Sequence, residues 1–198
     1  MCLLKGAGVN LKYYTYQKYP ENDKVHFLYL GRIMKEKGMD ELFYAAKELQ
    51  RKEVPFVLDL VGFFEDEYKE KIDKLVDAKI AVFHGFQEDP RPYYAMADCV
   101  VLPSYHEGMS NVLLEAAATG RPVITSNIPG CKEAVDDGKS GLLCEAEDWN
   151  DLYRKMSKIA QMSRIEREAM GVCGRDKMAQ EFDKDKVVKK TIQGIERV

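Results

Sequence analysis

The sequence predicts an α/β fold: a single Rossmann-like, doubly wound parallel sheet of about six strands, followed by a helical C-terminal segment. Three observations carry this. Short apolar runs of strand length recur along the chain, and three of them stop at or just before a glycine: Gly31, Gly62 and Gly85. Stretches with helical spacing of apolar residues separate most of these runs, and they are long enough for the right-handed crossovers that parallel strands need. With 198 residues and 45% apolar side chains, the chain fills one sizeable core and little more.

The elements follow in order. Val25–Leu30 is a buried parallel strand ending at Gly31. Asp40 opens a helix in which Leu42, Phe43, Ala45, Ala46 and Leu49 share a face, running to about Lys52. Phe56–Val61 is the second strand, and Glu65–Val76 a charged helix with Tyr68, Ile72 and Leu75 on one side. Ile80–Phe83 is a third strand, Arg91–Met96 a short helix after Pro90, and Cys99–Leu102 a fourth strand. Asn111–Thr119 is a helix, Val123–Thr125 a fifth strand and Leu142–Cys144 a sixth. From Asp148 onward the pattern is helical. Residues 1–24 carry no regular pattern, only clustered tyrosines (Tyr13, Tyr14, Tyr16, Tyr19), and read as a connector preceding a domain over 25–198.

Composition narrows the function. The net charge of −3 comes from 30 basic and 33 acidic residues interspersed, so no basic face announces a nucleic acid. The five cysteines (Cys2, Cys99, Cys131, Cys144, Cys173) are odd in number and scattered. They fit neither a disulfide framework nor a metal pair, and point to a reducing cytoplasm. No apolar run reaches membrane-spanning length and Met1 is not followed by a signal peptide, so membrane contact would be peripheral or lie in a missing part.

In an open α/β sheet a ligand sits outside the carboxyl ends of the strands, where Gly31, Gly62, Gly85 and Glu107 fall. The loop Gly31-Arg32-Ile33-Met34-Lys35-Glu36-Lys37-Gly38 has a glycine at each end, so Arg32 and Lys37 can converge on a diphosphate. It lacks both the dinucleotide and the P-loop glycine spacing, and by itself it reads as a solvated surface loop. The stretch Pro103–Ser126 adds weight. Glu115 is the only charge in Val112–Ala118, and a carboxylate in an apolar helix is costly without hydrogen-bond partners. The N–H groups at the start of that helix form a ready anion site. Together they suggest a phosphate at the helix tip and a hydroxyl-bearing ligand at Glu115, hence a nucleotide. Glu107 and Glu115 are placed too differently to be a glycosidase pair. Ser110 or Asn111 is a natural N-cap.

Other residues have blander readings. His26 is a strand residue, and His84 and His106 are more often structural or solvated than catalytic. Cys131 lies near a helix start that would lower its thiol pKa. Trp149 packs on a helix rather than forming a sugar platform. Gly120-Arg121-Pro122 ends a helix and turns the chain, and Asp183-Lys184-Asp185 is solvated helix surface, not a metal site.

Gly31-Arg32…Lys37-Gly38, Phe83-His84-Gly85-Phe86, Glu107 with Glu115, and Ile128-Pro129-Gly130…Glu133-Ala134-Val135…Gly138…Gly141 together resemble the retaining family 4 glycosyltransferases of GT-B fold. The likeness is nearest to the bacterial capsule and lipopolysaccharide type. Gly6-Ala7-Gly8-Val9-Asn10 is similar to that family's interdomain junction. The resemblance covers nearly the whole chain and implies the donor-binding half of such an enzyme, one half of a GT-B fold. The full enzyme would move a hexosyl or N-acetylhexosaminyl group from a nucleotide-diphospho-sugar, with UDP expected, to a glycan or lipid-linked acceptor. It would use no cofactor and no metal. Arg32 and Lys37 would then hold the donor diphosphate, Glu115 the ribose and Phe86 the base. Glu107 would be the catalytic-site carboxylate beside the sugar, with the backbone N–H groups of Gly108, Met109, Ser110 and Asn111 on sugar or phosphate. An N-terminal acceptor-binding domain would be a required partner. The alternatives are a non-catalytic sugar-nucleotide-binding module, or another GT-B enzyme such as an epimerase or a phosphorylase.

Overall fold

A computed structural model describes residues 6 and 8–195 of the chain. Cys2, Ala7 and the last three residues lie outside the described part. Six strands form one fully parallel sheet: β1 (Val25–Leu30), β2 (Phe56–Val61), β3 (Ala81–Gly85), β4 (Cys99–Leu102), β5 (Val123–Ser126) and β6 (Gly141–Cys144). Their spatial order is β3-β2-β1-β4-β5-β6. The chain winds outward from β1 in one direction and from β4 in the other. Right-handed crossovers then place the helices of the two halves on opposite faces of the sheet. Between the strands lie α1 (Met39–Arg51), α2 (Lys69–Asp77), α3 (Arg91–Met96) and α4 (Asn111–Ala118). After β6 come α5 (Trp149–Gln161), α6 (Arg164–Lys177), a π-helical turn at Met178–Phe182 and α7 (Lys184–Ile195). Helix α5 packs on α1, and α6 on α4.

The strands read as continuous apolar runs because the sheet is covered on both faces: β4 and β5 are buried at every position. The amphipathic spacing of α1 buries Met39, Leu42, Phe43, Ala45, Ala46 and Leu49, as the sequence predicts. Two expected elements differ. The helix expected from Glu65 starts as a 3-10 turn at Asp66–Tyr68, which turns the Tyr68 ring into the core before α2 begins. Strand β3 starts one residue later than expected and runs two residues further, through His84 to Gly85, because its pairing with β2 resumes beyond an irregularity at Leu60/Val61.

The tyrosine-rich stretch is more than a connector in its contacts. It forms a strap laid across α3, α4 and α6, fixed by four arginines, of which Arg164 donates to the carbonyls of Tyr19 and Pro20. Fully buried Arg121 donates to the carbonyls of Tyr94 and Ala95 at the end of α3 and to those of Gln17 and Lys18 in the strap. Arg167 donates to the buried Tyr19 hydroxyl, which itself donates to Asp98 O. Arg175 donates to Tyr14 O and Ala118 O. The reading of Arg121 as a mere helix-ending residue is thus corrected: its guanidinium satisfies carbonyls that neither α3 nor the strap can pair internally. The start of the strap meets the far end of the chain, where Val9 and Asp183 form a parallel bridge.

Candidate functional site

The strand order reverses between β1 and β4, and a crevice opens at the carboxyl ends of these two strands. Its walls are the Gly31–Gly38 loop after β1 and the Pro103–Ser110 loop after β4. Gly38 has φ 69°, and a Cβ there would lie 2.0 Å from Pro103 O, so only glycine lets the two loops touch. Tyr105 N–H also donates to Glu36 O at 2.9 Å. Tyr29, buried beneath, donates its hydroxyl to Arg32 O at 2.5 Å. This bracing brings Lys37 Nζ within 2.6 Å of Glu107 Oε1, which also accepts from Ser104 Oγ at 2.9 Å. Lys37 and Glu107 are therefore joined in one largely buried ion pair.

Arg32 is exposed and has no acidic partner among the described residues. Its guanidinium lies over the Phe63 ring, 5.7 Å from the centroid. Phe63 follows the end of β2 and Phe86 the end of β3. They are 53% and 66% exposed, with their rings 6.4 Å apart. Two large exposed aromatics side by side next to a free cation form an apolar shelf at the rim. Reasoning from the sequence singles out Phe86 and misses Phe63, although Gly62-Phe63-Phe64 just past a strand end is a comparable signal.

On the other wall, α4 begins at Asn111 with Ser110 at the N-cap position. Ser110 makes no side-chain capping bond, and its N–H already donates to Gly130 O at 3.2 Å. Of the four N–H groups expected to serve a ligand, Ser110's is therefore spent. Those of Gly108, Met109 and Asn111 have no protein acceptor among the described residues. Gly130 has φ 88°, and a Cβ there would come within 2.2 Å of Gly108 O and 2.4 Å of Glu107 O. The loop that carries Glu107 is thus pressed against a backbone that has no side chain.

Glu115 lies four residues into α4, half-buried. Its isolation in the sequence is resolved by Tyr94 of α3, whose Oη donates to Glu115 Oε2 at 2.9 Å, and Tyr14 of the strap lines a cavity together with Glu115. Burial raises the Glu115 pKa, and the Tyr94 hydroxyl bond acts against that rise. Tyr94 does not stand out from the sequence as its partner. The need of a lone carboxylate for donors is the available signal.

Other expectations resolve as follows. Buried Asp59 on β2 accepts from both histidines of its neighbouring strands, His26 Nδ1 and His84 Nε2, each at 2.8 Å. His84 is thereby tied into the sheet, with its ring also edge-on to Tyr93. His106 is exposed. Cys131 corrects an expectation: it is buried, and burial pushes its thiol up to about 11 instead of down. Trp149 stacks against Tyr44 of α1, 6.3 Å between centroids. Asp183 is not simply solvated surface, since its carboxylate accepts from the N–H groups of Asp185 and Lys186 at the start of α7.

A six-stranded parallel sheet of this order, with Lys37 and Glu107 paired at its switch point, is a Rossmann-like domain, and its solved structural neighbours are GT-B glycosyltransferases. The chain belongs to the group 1 glycosyl transferases, whose family model matches residues 24–162. It is 31% identical over 166 residues to the capsular polysaccharide biosynthesis glycosyltransferase CapM of Staphylococcus aureus, covering 81% of this chain and 43% of that protein. It is 26% identical over 178 residues to the N,N'-diacetylbacillosaminyl-diphospho-undecaprenol alpha-1,3-N-acetylgalactosaminyltransferase of Campylobacter jejuni, covering 83% and 46%. The chain thus spans less than half the length of these relatives. Among solved structures, the sucrose-phosphate synthase of Thermosynechococcus elongatus superposes with TM-score 0.81 at 26% identity, over 96% of this chain and 51% of that one. Anabaena HepE in complex with UDP-glucose superposes at 0.80 and 18% identity, over 96% and 56%. The C-terminal domain of a Francisella tularensis group 1 glycosyl transferase gives 0.75 at 23% identity, over 89% of this chain and 99% of that domain. No helix among the described residues is long and apolar enough to cross a membrane.

Proposed function

We propose that residues 25–198 are the donor-binding half of a retaining glycosyltransferase that uses a nucleotide-diphospho-sugar, UDP-sugar foremost, with residues 1–24 as the junction to an acceptor-binding domain. One observation carries this: Lys37 and Glu107 meet at the switch point between β1 and β4, with Arg32 on the same loop over the Phe63 ring, within a fold whose solved neighbours include one in complex with UDP-glucose. The base lies on the shelf of Phe63 and Phe86, and the ribose hydroxyls donate to Glu115. Arg32 and Lys37 hold the diphosphate, with the free N–H groups of Gly108, Met109 and Asn111 beside it.

The Lys37–Glu107 pair gives the resting site its logic. Glu107 holds Lys37 in the crevice while no anion is present. An arriving diphosphate takes over Lys37, and Glu107 turns to the hydroxyls of the sugar. As the bond to the sugar breaks, negative charge grows on the departing nucleoside diphosphate. Arg32 and Lys37, fixed before the reaction, stabilise that charge. The sugar is a hexosyl or N-acetylhexosaminyl group, and the acceptor is a glycan or a lipid-linked saccharide. The full enzyme works in the cytoplasm, peripheral on the membrane where its acceptor is lipid-linked.

Calorimetric titration with UDP, GDP and ADP tests the reading. UDP is expected to bind most tightly, with binding weakened at least tenfold in Arg32→Ala and Lys37→Ala, since each removes a charge-assisted contact. A folded protein that binds none of the three refutes it.

A further inference from the structure

Asp59 lies inside the sheet, yet it is tied to the aromatic shelf at the rim. It is 2% exposed within β2, where an unpartnered carboxylate would be costly. Its two oxygens are taken separately: His26 Nδ1 of β1 lies on Oδ2 and His84 Nε2 of β3 on Oδ1, each at 2.8 Å. An ionised carboxylate only accepts, so Nε2 of His84 carries the proton. His26, holding one oxygen, keeps the carboxylate from turning away from His84. The Tyr93 ring of α3, 5.0 Å from that of His84 and edge-on to it, closes the other side.

His84 is also where β3 departs from regular pairing. Phe83 pairs with Leu60 and Gly85 with Val61, so His84 is the extra residue of a bulge. Gly85 follows at φ 68°, and nothing lies within 4 Å of where its Cβ would stand, so the glycine serves the backbone turn rather than a close contact. Gly85 O accepts from Gly62 N–H, and His84 O from Gln87 Nε2, each at 2.8 Å. Phe86 comes next, 66% exposed beside Phe63. In regular register His84 would face Val61, and the residues after it would shift by one place and turn to the opposite face. The Asp59–His84 bond opposes that shift.

We infer that Asp59, acting through His84, is a positioning residue for the nucleotide base: it pins the bulge from which Phe86 is presented to the ligand. This rests on the nucleotide-sugar reading above. The buried carboxylate touches no ligand. It fixes where the chain leaves the sheet, and so whether the Phe86 ring lies alongside Phe63. Bulges next to binding sites commonly re-aim a side chain in this way.

A double-mutant cycle on UDP affinity, read by titration calorimetry with thermal unfolding of each variant, tests this. Phe86→Ala should weaken UDP by roughly tenfold, the scale of one base–aromatic stack. His84→Ala should weaken it by roughly five- to tenfold, as the loss of a bond to a charged group. In the Phe86→Ala background, His84→Ala should cost less than about twofold more, because its effect passes through the ring already removed. His84→Gln, whose Nε2 amide can still donate to Asp59, should recover most of the affinity. Should His84→Ala not fold, Asp59→Asn carries the same cycle, since it keeps the side-chain shape but turns an amide donor toward one of the imidazoles. Additive losses, or a folded His84→Ala or Phe86→Ala that binds UDP as wild type does, overturn this inference and leave the donor reading standing. Wild type that binds no UDP overturns both.

Discussion

Replacing Gly130 by alanine tests how the crevice is built. A Cβ at this position would stand 2.2 Å from Gly108 O and 2.4 Å from Glu107 O, so the Glu107 loop must retreat by about 1 Å to reach van der Waals separation. The backbone at φ 88° adds about 1–2 kcal/mol for any residue with a side chain. Gly138 separates the two contributions. It has φ 76°, but nothing lies within 4 Å of where its Cβ would stand, so Gly138→Ala carries only the backbone cost. In a chain of this length that cost lowers the melting temperature by roughly 2–8 °C. Gly130→Ala adds overpacking of about 1–3 kcal/mol and should lose roughly twice as much. It also strains the Ser110 N–H bond to Gly130 O and shifts Glu107 away from Lys37. UDP affinity should fall by about ten- to a hundredfold, the scale on which an ångström of misplacement acts at a site, while Gly138→Ala binds as wild type does. Scanning calorimetry and titration calorimetry on the two variants read both effects. Equal melting temperatures with unchanged UDP binding would refute the argument that Gly130 positions the Glu107 loop.

Three further outcomes are expected. Arg121→Met should destabilise the fold by about 2–4 kcal/mol, because it orphans buried carbonyls of α3 and the strap; an unchanged urea midpoint would contradict the clamp. The bond to Asp59 raises the His26 pKa, so its stabilisation is complete below the ordinary histidine value of about 6.5 and is lost as pH rises through the raised value. His26→Gln should therefore be less stable than wild type in mild acid and converge with it toward alkaline pH, and a difference constant with pH would count against the pairing. Native alkylation mapped by mass spectrometry should modify exposed Cys173 well before buried Cys99, Cys131 and Cys144, whose thiols burial pushes up; fast labelling of Cys131 would break that account.

The sheet was readable in advance because its signals are local. An apolar run ending at a glycine marks a parallel strand, and β1 and β2 fall where such runs lie. Arg32, Lys37 and Glu107 could be grouped for the same reason, since each sits just past a strand end and strand ends share one rim. The partner of Glu115 could not be read, since Tyr94 is 21 residues away in sequence. Nor could the spent N–H of Ser110, whose acceptor comes from another loop.

Residue order alone was enough to specify the alternation of strands and helices, the rim on which a ligand would lie, and the family to which the chain belongs. Folding in three dimensions was needed for the strand order that puts Lys37 against Glu107, the paired histidines on Asp59, and the buried, unreactive state of Cys131. It also turned an unpatterned connector into a strap held by Arg121 and Arg167. The difference is one of range. Periodicity and turn chemistry act over a few residues. Hydrogen bonds between buried polar groups depend on which distant segments the packing of the core brings together.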